Sequence, residues 1–291
     1  MKNTPSRTGA TTRRQTISRI GRVTGVGLHR GRESSVTLRP GDDGVSFSRP
    51  GLDPLRLSEL DVVATERCTR VRFPDGSTID TVEHLVAALA MAGVTDVEVE
   101  FADHEVPILD GSSMPWLREL VAAGLRPLAG EAPYLEVVAP FEFSARGATY
   151  SVAPGPLSYD VTIDFPAPSI GRQNIRISGG ETALLADSRT FAMEHEIAAL
   201  RNAGLAQGGG LHNAVVIGVD GPLNPEGFRH RDECVRHKTL DLVGDLHMLG
   251  VPVVGRFVVS RPGHAANGEF LRAMAASGVL APSANRFAFA A

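Results

Sequence analysis

Two stretches in the two halves of the chain repeat each other. Leu85-Val86-Ala87-Ala88-Leu89-Ala90-Met91-Ala92-Gly93-Val94 and Leu242-Val243-Gly244-Asp245-Leu246-His247-Met248-Leu249-Gly250-Val251 share six of ten residues in one register. The offset is 157 positions, about half of the 291-residue chain. A duplicated domain accounts for both the identities and the offset, and it narrows the folds open to the chain: each half builds on one such helix followed by a strand. In this register His84 falls on Asp241, so each half presents a metal-competent residue at the start of the equivalent helix. A site drawing on both lies between the two domains, where clefts most often form.

The second copy continues a stretch, Asp232 to Asp245, that reads as a helix with a polar stripe. His237, Asp241 and Asp245 follow at i, i+4 and i+8 and so stack on one side, while Leu240, Leu242, Val243 and Leu246 supply the apolar side. Histidine and aspartate one turn apart are a common way to hold a metal ion from a helix, with Asp245 left behind them. Taken alone, the pair is more often a solvated face with helix-supporting charges. With His84 added, the protein ligands number three, as a catalytic zinc takes while keeping one position for water. A structural zinc wants four, usually with cysteine, and Cys68 and Cys234 lack the paired spacing. Glu83, about a quarter turn from His84, is placed to take a proton from water at such a site. His104, His195, His212 and His230 sit in polar or loop contexts, His247 lies off the stripe and His29 ends a turn, so His84, His237 and His264 are the histidines to weigh. The residues alone leave two readings open, a metal hydrolase and a polar domain interface.

Elsewhere the chain alternates short apolar runs with turns. Strands are expected at 22–29, 35–40, 44–47, 96–101, 134–138, 149–152, 159–165, 214–219 and 255–260, and helices at 81–92, from 114, near 191–203 and at 268–276. Gly25-Val26-Gly27 reads as a tight turn and Gly208-Gly209-Gly210 as a flexible one. The expected organisation is a flexible tail over 1–15, one α+β domain over 16–128 and a second over 129–291, with 124–133 as the linker. A hydrophobic fraction of 43% fits a globular protein without staples, and two cysteines fit a reducing compartment. Net charge −4 argues against nucleic acid as the main partner. No segment reads as a signal peptide or a membrane span.

Thr81-Val82-Glu83-His84-Leu85, Ile108-Leu109-Asp110-Gly111-Ser112, Ser188-Arg189-Thr190-Phe191, Asn224-Pro225-Glu226-Gly227, Val235-Arg236-His237-Lys238-Thr239-Leu240-Asp241 with Gly244-Asp245-Leu246, and Gly263-His264-Ala265 together resemble the UDP-3-O-acyl-N-acetylglucosamine deacetylases, zinc amidases of lipid A synthesis. The resemblance runs from about Gln15 to the last helix. It implies an α+β fold of two similar domains, each a helix layer packed on a sheet, with the helices of the two facing each other around the active site. It implies zinc on His84, His237 and Asp241, with iron(II) equally suited to that ligand set. Glu83 is then the general base, His264 the general acid and Asp245 the group that orients His264 and holds it cationic. Thr190 is expected to stabilise the oxyanion and Lys238 to bind substrate oxygens.

For the substrate, the resemblance implies an acyl passage near 191–214, with Phe191, Ile197, Ala206 and Ala214, faced by Leu28, His29 and Cys68 from the first domain. Arg261 is expected at the nucleotide diphosphate and Phe165 at uracil. Ala167 stands where many members have histidine, and a basic residue expected near Ala148 is shifted, with Arg146 the nearest. The expected protein is a cytoplasmic monomer acting on an acylated UDP-sugar. Two alternatives remain: a zinc amidohydrolase of the same fold with another substrate, and a non-catalytic binder of acyl ligands, disfavoured because Glu83, His84, His237, Asp241 and His264 are all present.

Overall fold

The computed structural model describes residues 13–283. Its first half runs through strands β1 (Arg13–Ile17), β2 (Gly21–Val26), β3 (Glu33–Pro40), β4 (Val45–Ser48) and β5 (Leu55–Arg56). A small sheet of β6 (Asp61–Ala64), β7 (Thr69–Arg72) and β8 (Thr78–Asp80) follows, then helix α1 (Glu83–Ala92), β9 (Val97–Phe101), α2 (Met114–Ala123) and β10 (Leu125–Glu131). The second half comprises β11 (Leu135–Val137), β12 (Phe141–Ala145), β13 (Ala148–Ala153), β14 (Ser158–Asp164) and β15 (Arg172–Ser178), then β16 (Phe191–Met193), α3 (Glu194–Asn202) and β17 (Val215–Ile217). It closes with α4 (Glu233–His247), β18 (Val253–Val254), β19 (Arg256–Ser260), α5 (His264–Ala276) and β20 (Leu280–Pro282).

The duplication is visible in the topology. One five-stranded sheet has the order β2-β3-β9-β4-β5 and the other β12-β13-β19-β14-β15. In both, the late strand is antiparallel to the second strand and parallel to the third. Two α+β halves of one design therefore carry α1 and α2, and α4 and α5, at matching places. The insertions also match in position: β6 to β8 precede α1 where β16, α3 and β17 precede α4.

Simple alternation accounts for the inner strands. In β9, Val97, Val99 and Phe101 are buried while Glu98 and Glu100 between them are partly exposed, which gives the sheet one apolar face. Helix α1 is buried over most of its length, from Glu83 through Leu89. Burying Leu85, Val86 and Leu89 contributes roughly 1.5–3 kcal/mol each. The helix stops at Gly93, whose left-handed conformation (φ 65°) lets its N–H cap the carbonyls of Leu89 and Ala90. Its start is equally sharp, because Thr81 has φ 62°, which no helical turn tolerates.

Helices α1 and α4 pack directly on each other and join the two halves. Their approach is set at Gly244, where a Cβ would lie 2.3 Å from the carbonyl oxygen of Glu83. The pairing puts the first turn of α1 against the middle of α4.

Several expectations change. Residues 1–12 of the expected tail lie outside the described residues, and Arg13–Gln15 belong to β1. The expected linker is mostly the strand β10, antiparallel to β1. It was concealed because nearly all of it is exposed and Pro127 occurs in it, which a strand bordered by solvent accepts. The last helix starts at His264, four residues earlier than expected, and α4 starts at Glu233, seven residues before the position equivalent to the start of α1. Asp241 thus stands in mid-helix, and the two additional turns carry His237. Among the described residues no helix is long and apolar enough to cross a membrane.

Two outcomes follow from this packing. Gly244→Ala is expected to lower stability by about 1–3 kcal/mol through overpacking against α1, read as a drop in thermal midpoint. His247, buried near the end of α4, has its imidazole pKa pushed down to about 4 by burial. As pH falls from about 6.5 the unfolded chain takes up this proton before the folded one, so stability is full above 6.5 and declines down to about 4. Urea unfolding at pH 7 and pH 4 should show His247→Leu losing about 3 kcal/mol less than the wild type over that interval.

Candidate active site

Where α1 meets α4, the side chains of His84, His237 and Asp241 turn toward one point, with ligand-type atoms all within 4.8 Å of one another. The His237 Nδ1–H donates to the Ser188 carbonyl at 3.0 Å, which leaves the Nε2 lone pair free to face Asp241 Oδ1 at 3.3 Å. His84 Nε2 lies 3.5 Å from the same oxygen. The two imidazoles stand edge to face, with centroids 5.0 Å apart. Asp241 Oδ1 is buried without a hydrogen-bond donor, while Oδ2 accepts from Lys238 Nζ at 2.9 Å.

An anionic oxygen and two imidazole nitrogens buried facing each other carry a desolvation penalty that a cation removes. The donor set, two imidazoles and a carboxylate, fits a divalent metal with a position left open. Burial pushes the His237 pKa down to about 3, so that ring is neutral and competent as a ligand. Asp241 lies well below the ordinary carboxylate range: burial works against its charge, and the positive charges of neighbours such as Lys238 and His264 outweigh it.

Glu83 and His264 stand beside this point. Glu83 is 2% exposed, and burial pushes its carboxyl up to about 7 against the pull of His264 and His84. Its Oε2 accepts the Thr69 backbone N–H at 3.0 Å, which holds Oε1 3.7 Å from His264 Nε2. His264 Nδ1 donates to Asp245 Oδ2 at 3.2 Å, and its Nε2 is 3.6 Å from Asp241 Oδ2. Burial opposes the protonated ring, but Asp245, Asp241 and Glu83 together raise its pKa to about 9. Asp245 is itself held by the Thr69 hydroxyl and by Asn267 Nδ2 at 2.7 Å, and Tyr150 donates to Asn267 in turn. A base of pKa near 7 and an acid of pKa near 9 on the two sides of one point are suited to taking a proton from water and giving one to a leaving group at neutral pH.

Next to this cluster opens a cavity of about 510 Å³ lined mostly by apolar and small side chains. Phe191, Ile197, Ala206 and Ala214 from the second half and Leu28 and His29 from the first all line it, as does Thr190. His29, read in the sequence as the end of a turn, is a buried ring with neither nitrogen hydrogen-bonded, and burial lowers its pKa. Phe165 packs edge to face on Phe191 at 5.3 Å, and Phe191 is in turn 6.2 Å from the His237 ring.

Three further residues lie outside the cavity lining. Cys68 is a buried thiol outside the cavity lining, pushed by burial up to about 12 and so protonated. Arg261 is exposed and paired with Asp164 at 2.7 Å. Arg146 reaches Glu269 at 2.6 Å and also binds Glu66. Lys238, expected to bind substrate oxygens, lies at i, i+3 from Asp241 on the same face, turned to that carboxylate and 5.7 Å from the Phe191 ring.

Sequence reasoning passed over the residues that hold the cluster. Thr69 gave no signal, since an alternating strand says nothing of a hydroxyl's partner. Asn267 did have one, lying at i, i+3 from His264. Arg189 and Glu226, quoted as motif residues without a role, meet in an ion pair, and Arg189 is bound through Nε and its backbone N–H to buried Glu233. Glu233 lies one turn before His237, so this pair anchors the first turn of α4 beside Thr190.

Comparison with known proteins gives one consistent result. A family model for UDP-3-O-acyl N-acetylglycosamine deacetylase matches residues 14–276. Among curated proteins, the UDP-3-O-acyl-N-acetylglucosamine deacetylase of Phenylobacterium zucineum is 42% identical over 263 residues, covering 87% of this chain and 89% of the relative. That of Thermosynechococcus vestitus is 38% identical, covering 91% and 95%, and that of Neisseria gonorrhoeae 36%, covering 90% of each.

The ligand geometry makes a direct forecast. Equilibrium dialysis against a divalent metal should give one bound ion per chain, and Asp241→Ala or His237→Ala should weaken that binding by roughly two orders of magnitude or more. Unchanged stoichiometry and affinity in both variants would remove these residues from the metal site.

Proposed function

Since the chain belongs to the UDP-3-O-acyl N-acetylglycosamine deacetylase family, we propose that it hydrolyses the N-acetyl amide of a UDP-3-O-acyl-N-acetylglucosamine, releasing acetate and a free amine in lipid A synthesis. The observation that carries this reading at the level of chemistry is the convergence of His84, His237 and Asp241 on one point flanked by Glu83 and His264. The metal on those three ligands is zinc in this reading. When bound, it supplies Lewis acidity, polarising the amide carbonyl and lowering the pKa of water toward 7.

The residues of this chain supply the rest. Glu83, held by the Thr69 amide, takes the proton from the attacking water through Oε1. Burial raises its carboxyl above the ordinary range, which suits a group that takes up a proton and then returns it. His264, fixed by Asp245, carries a proton on Nε2 and delivers it to the amine nitrogen as the C–N bond breaks. Thr190 contributes its hydroxyl to the oxygen that becomes negative in the tetrahedral state. Lys238 sets the position of Asp241 and adds a positive charge there, so its effect on substrate oxygens is through the same neighbourhood.

The acyl chain occupies the cavity of Leu28, Phe191, Ile197, Ala206 and Ala214. In this reading Phe165, packed on Phe191, meets the uracil and Arg261, exposed beside Asp164, the diphosphate. The reaction is cytoplasmic in this reading, consistent with two free cysteines, Cys68 and Cys234.

Purified protein should release acetate from a UDP-3-O-acyl-N-acetylglucosamine, lose that activity to a chelator and regain it with zinc. Glu83→Gln and His264→Ala should each lower kcat by about two orders of magnitude or more while binding metal as the wild type does. Absence of acetate release by metal-loaded protein would overturn the substrate assignment, and full turnover in either variant would remove that residue from proton transfer.

A further inference from the structure

Glu105 is 3% exposed, belongs to neither the metal cluster nor the cavity lining, and yet spends both carboxylate oxygens on the backbone of the turn between β2 and β3. Its Oε1 accepts the His29 N–H at 2.6 Å and its Oε2 the Arg30 N–H at 2.8 Å. The approach requires Gly27, where a Cβ would lie 2.3 Å from Oε2. The carbonyls of the same turn face the other way and are taken by the second half: Gln207 N–H donates to His29 O at 3.1 Å and Gly208 N–H to Leu28 O at 3.0 Å. The peptide units of Leu28 and His29 are therefore clamped, amides toward one buried anion and carbonyls toward the segment that closes the cavity. Leu28 and His29, with Arg67 beside them, are what the first half contributes to the cavity wall. Glu105 also accepts from the Thr81 hydroxyl at 3.3 Å, the left-handed residue just before α1.

We infer that Glu105 is a positioning residue for acyl-chain recognition, holding the 27–31 turn so that Leu28 and His29 take their places in the first-half wall of the acyl cavity. This rests on the deacetylase reading above. The physical reason for an anion here is geometric: two consecutive N–H groups converge on one carboxylate, a charge-assisted pair that a neutral amide cannot reproduce, because one of its two positions is itself a donor. Losing it frees the turn to rotate its carbonyls away from Gln207 and Gly208, and the cavity wall goes with them. The reacting centre on α1, α4 and α5 is held mainly by the Thr69, Ser188, Asp245 and Asn267 contacts, with the Thr81 hydroxyl its one link to Glu105.

The test compares two substrates, a UDP-N-acetylglucosamine bearing a long 3-O-acyl chain and one bearing a 3-O-acetyl group. Glu105→Gln is expected to raise KM for the long-chain substrate by roughly tenfold or more, with kcat changed by less than about threefold, and to cost at least about tenfold more in kcat/KM on the long chain than on the short one. Gly27→Ala, which displaces the carboxylate without removing its charge, is expected to show the same chain-dependent loss and serves should Glu105→Gln fail to accumulate as folded protein. Equal losses on both substrates, or a wild-type KM for the long chain, would overturn the inference. Binding of a fluorescent long-chain acyl probe to the metal-loaded protein separates this from the deacetylase reading. If the wild type releases no acetate but binds the probe roughly tenfold or more tightly than Glu105→Gln, the substrate assignment falls and the role of Glu105 stands. Equal probe binding by the two proteins overturns the role of Glu105 whatever the acetate assay gives.

Discussion

The close crossing of α1 and α4 is the contact on which the site depends. His84 comes from one half of the chain, His237 and Asp241 from the other, and their nitrogen and oxygen atoms come within 4.8 Å of each other because the backbone of Glu83 lies directly against Gly244. A side chain at 244 would push against the Glu83 carbonyl and force the helices apart. The short side chains of α1, with Ala87 and Ala88 fully buried, serve the same approach. A helix this apolar is buried by its packing, and the few polar groups it carries, Glu83 and His84, go with it into a region where unpaired charge is costly. That cost is what gives the group its chemistry: burial raises Glu83, while the surrounding carboxylates raise His264.

A second layer decides which of these groups does what. Thr69, from the insertion of the first half, gives its amide to Glu83 and its hydroxyl to Asp245. Asn267 binds the same Asp245 from α5. Glu83 and the Asp245–His264 pair are thus tied to one residue, Thr69, that reaches across the seam. The insertions before α1 and α4 occupy matching positions in the two halves but have diverged. One supplies Thr69, and the other supplies the cavity wall and the Arg189–Glu233 pair that anchors the head of α4. Duplication set the frame, and the unequal insertions made it asymmetric, with the cavity on one side of the cluster.

Much of the frame was legible in the chain. The repeated helix announced itself through six identities, and strands such as β9 through an alternation that one buried face imposes. Elements without a buried face were not legible: β10 is exposed along most of its length and holds a proline and a glycine, so it carries the signature of a linker although it pairs with β1. The stripe His237, Asp241, Asp245 was legible because helical spacing puts those residues on one side. His29 was not, because a residue at a turn is exposed or buried according to what another segment brings over it, here the loop at Gln207 and Gly208.

The sequence by itself determined the duplication, the helices that carry the polar groups and the residue types able to hold a metal and move a proton, because these follow from local periodicity and from the chemistry of single side chains. Only the tertiary structure decided that Lys238 turns to Asp241, that Cys68 is sealed away from the cavity, and that Glu105 governs a turn far from it in sequence. Each of those depends on which surface a second segment covers, and a buried polar group takes whatever partner the packing leaves within reach. Spacing along one chain segment does not contain that choice.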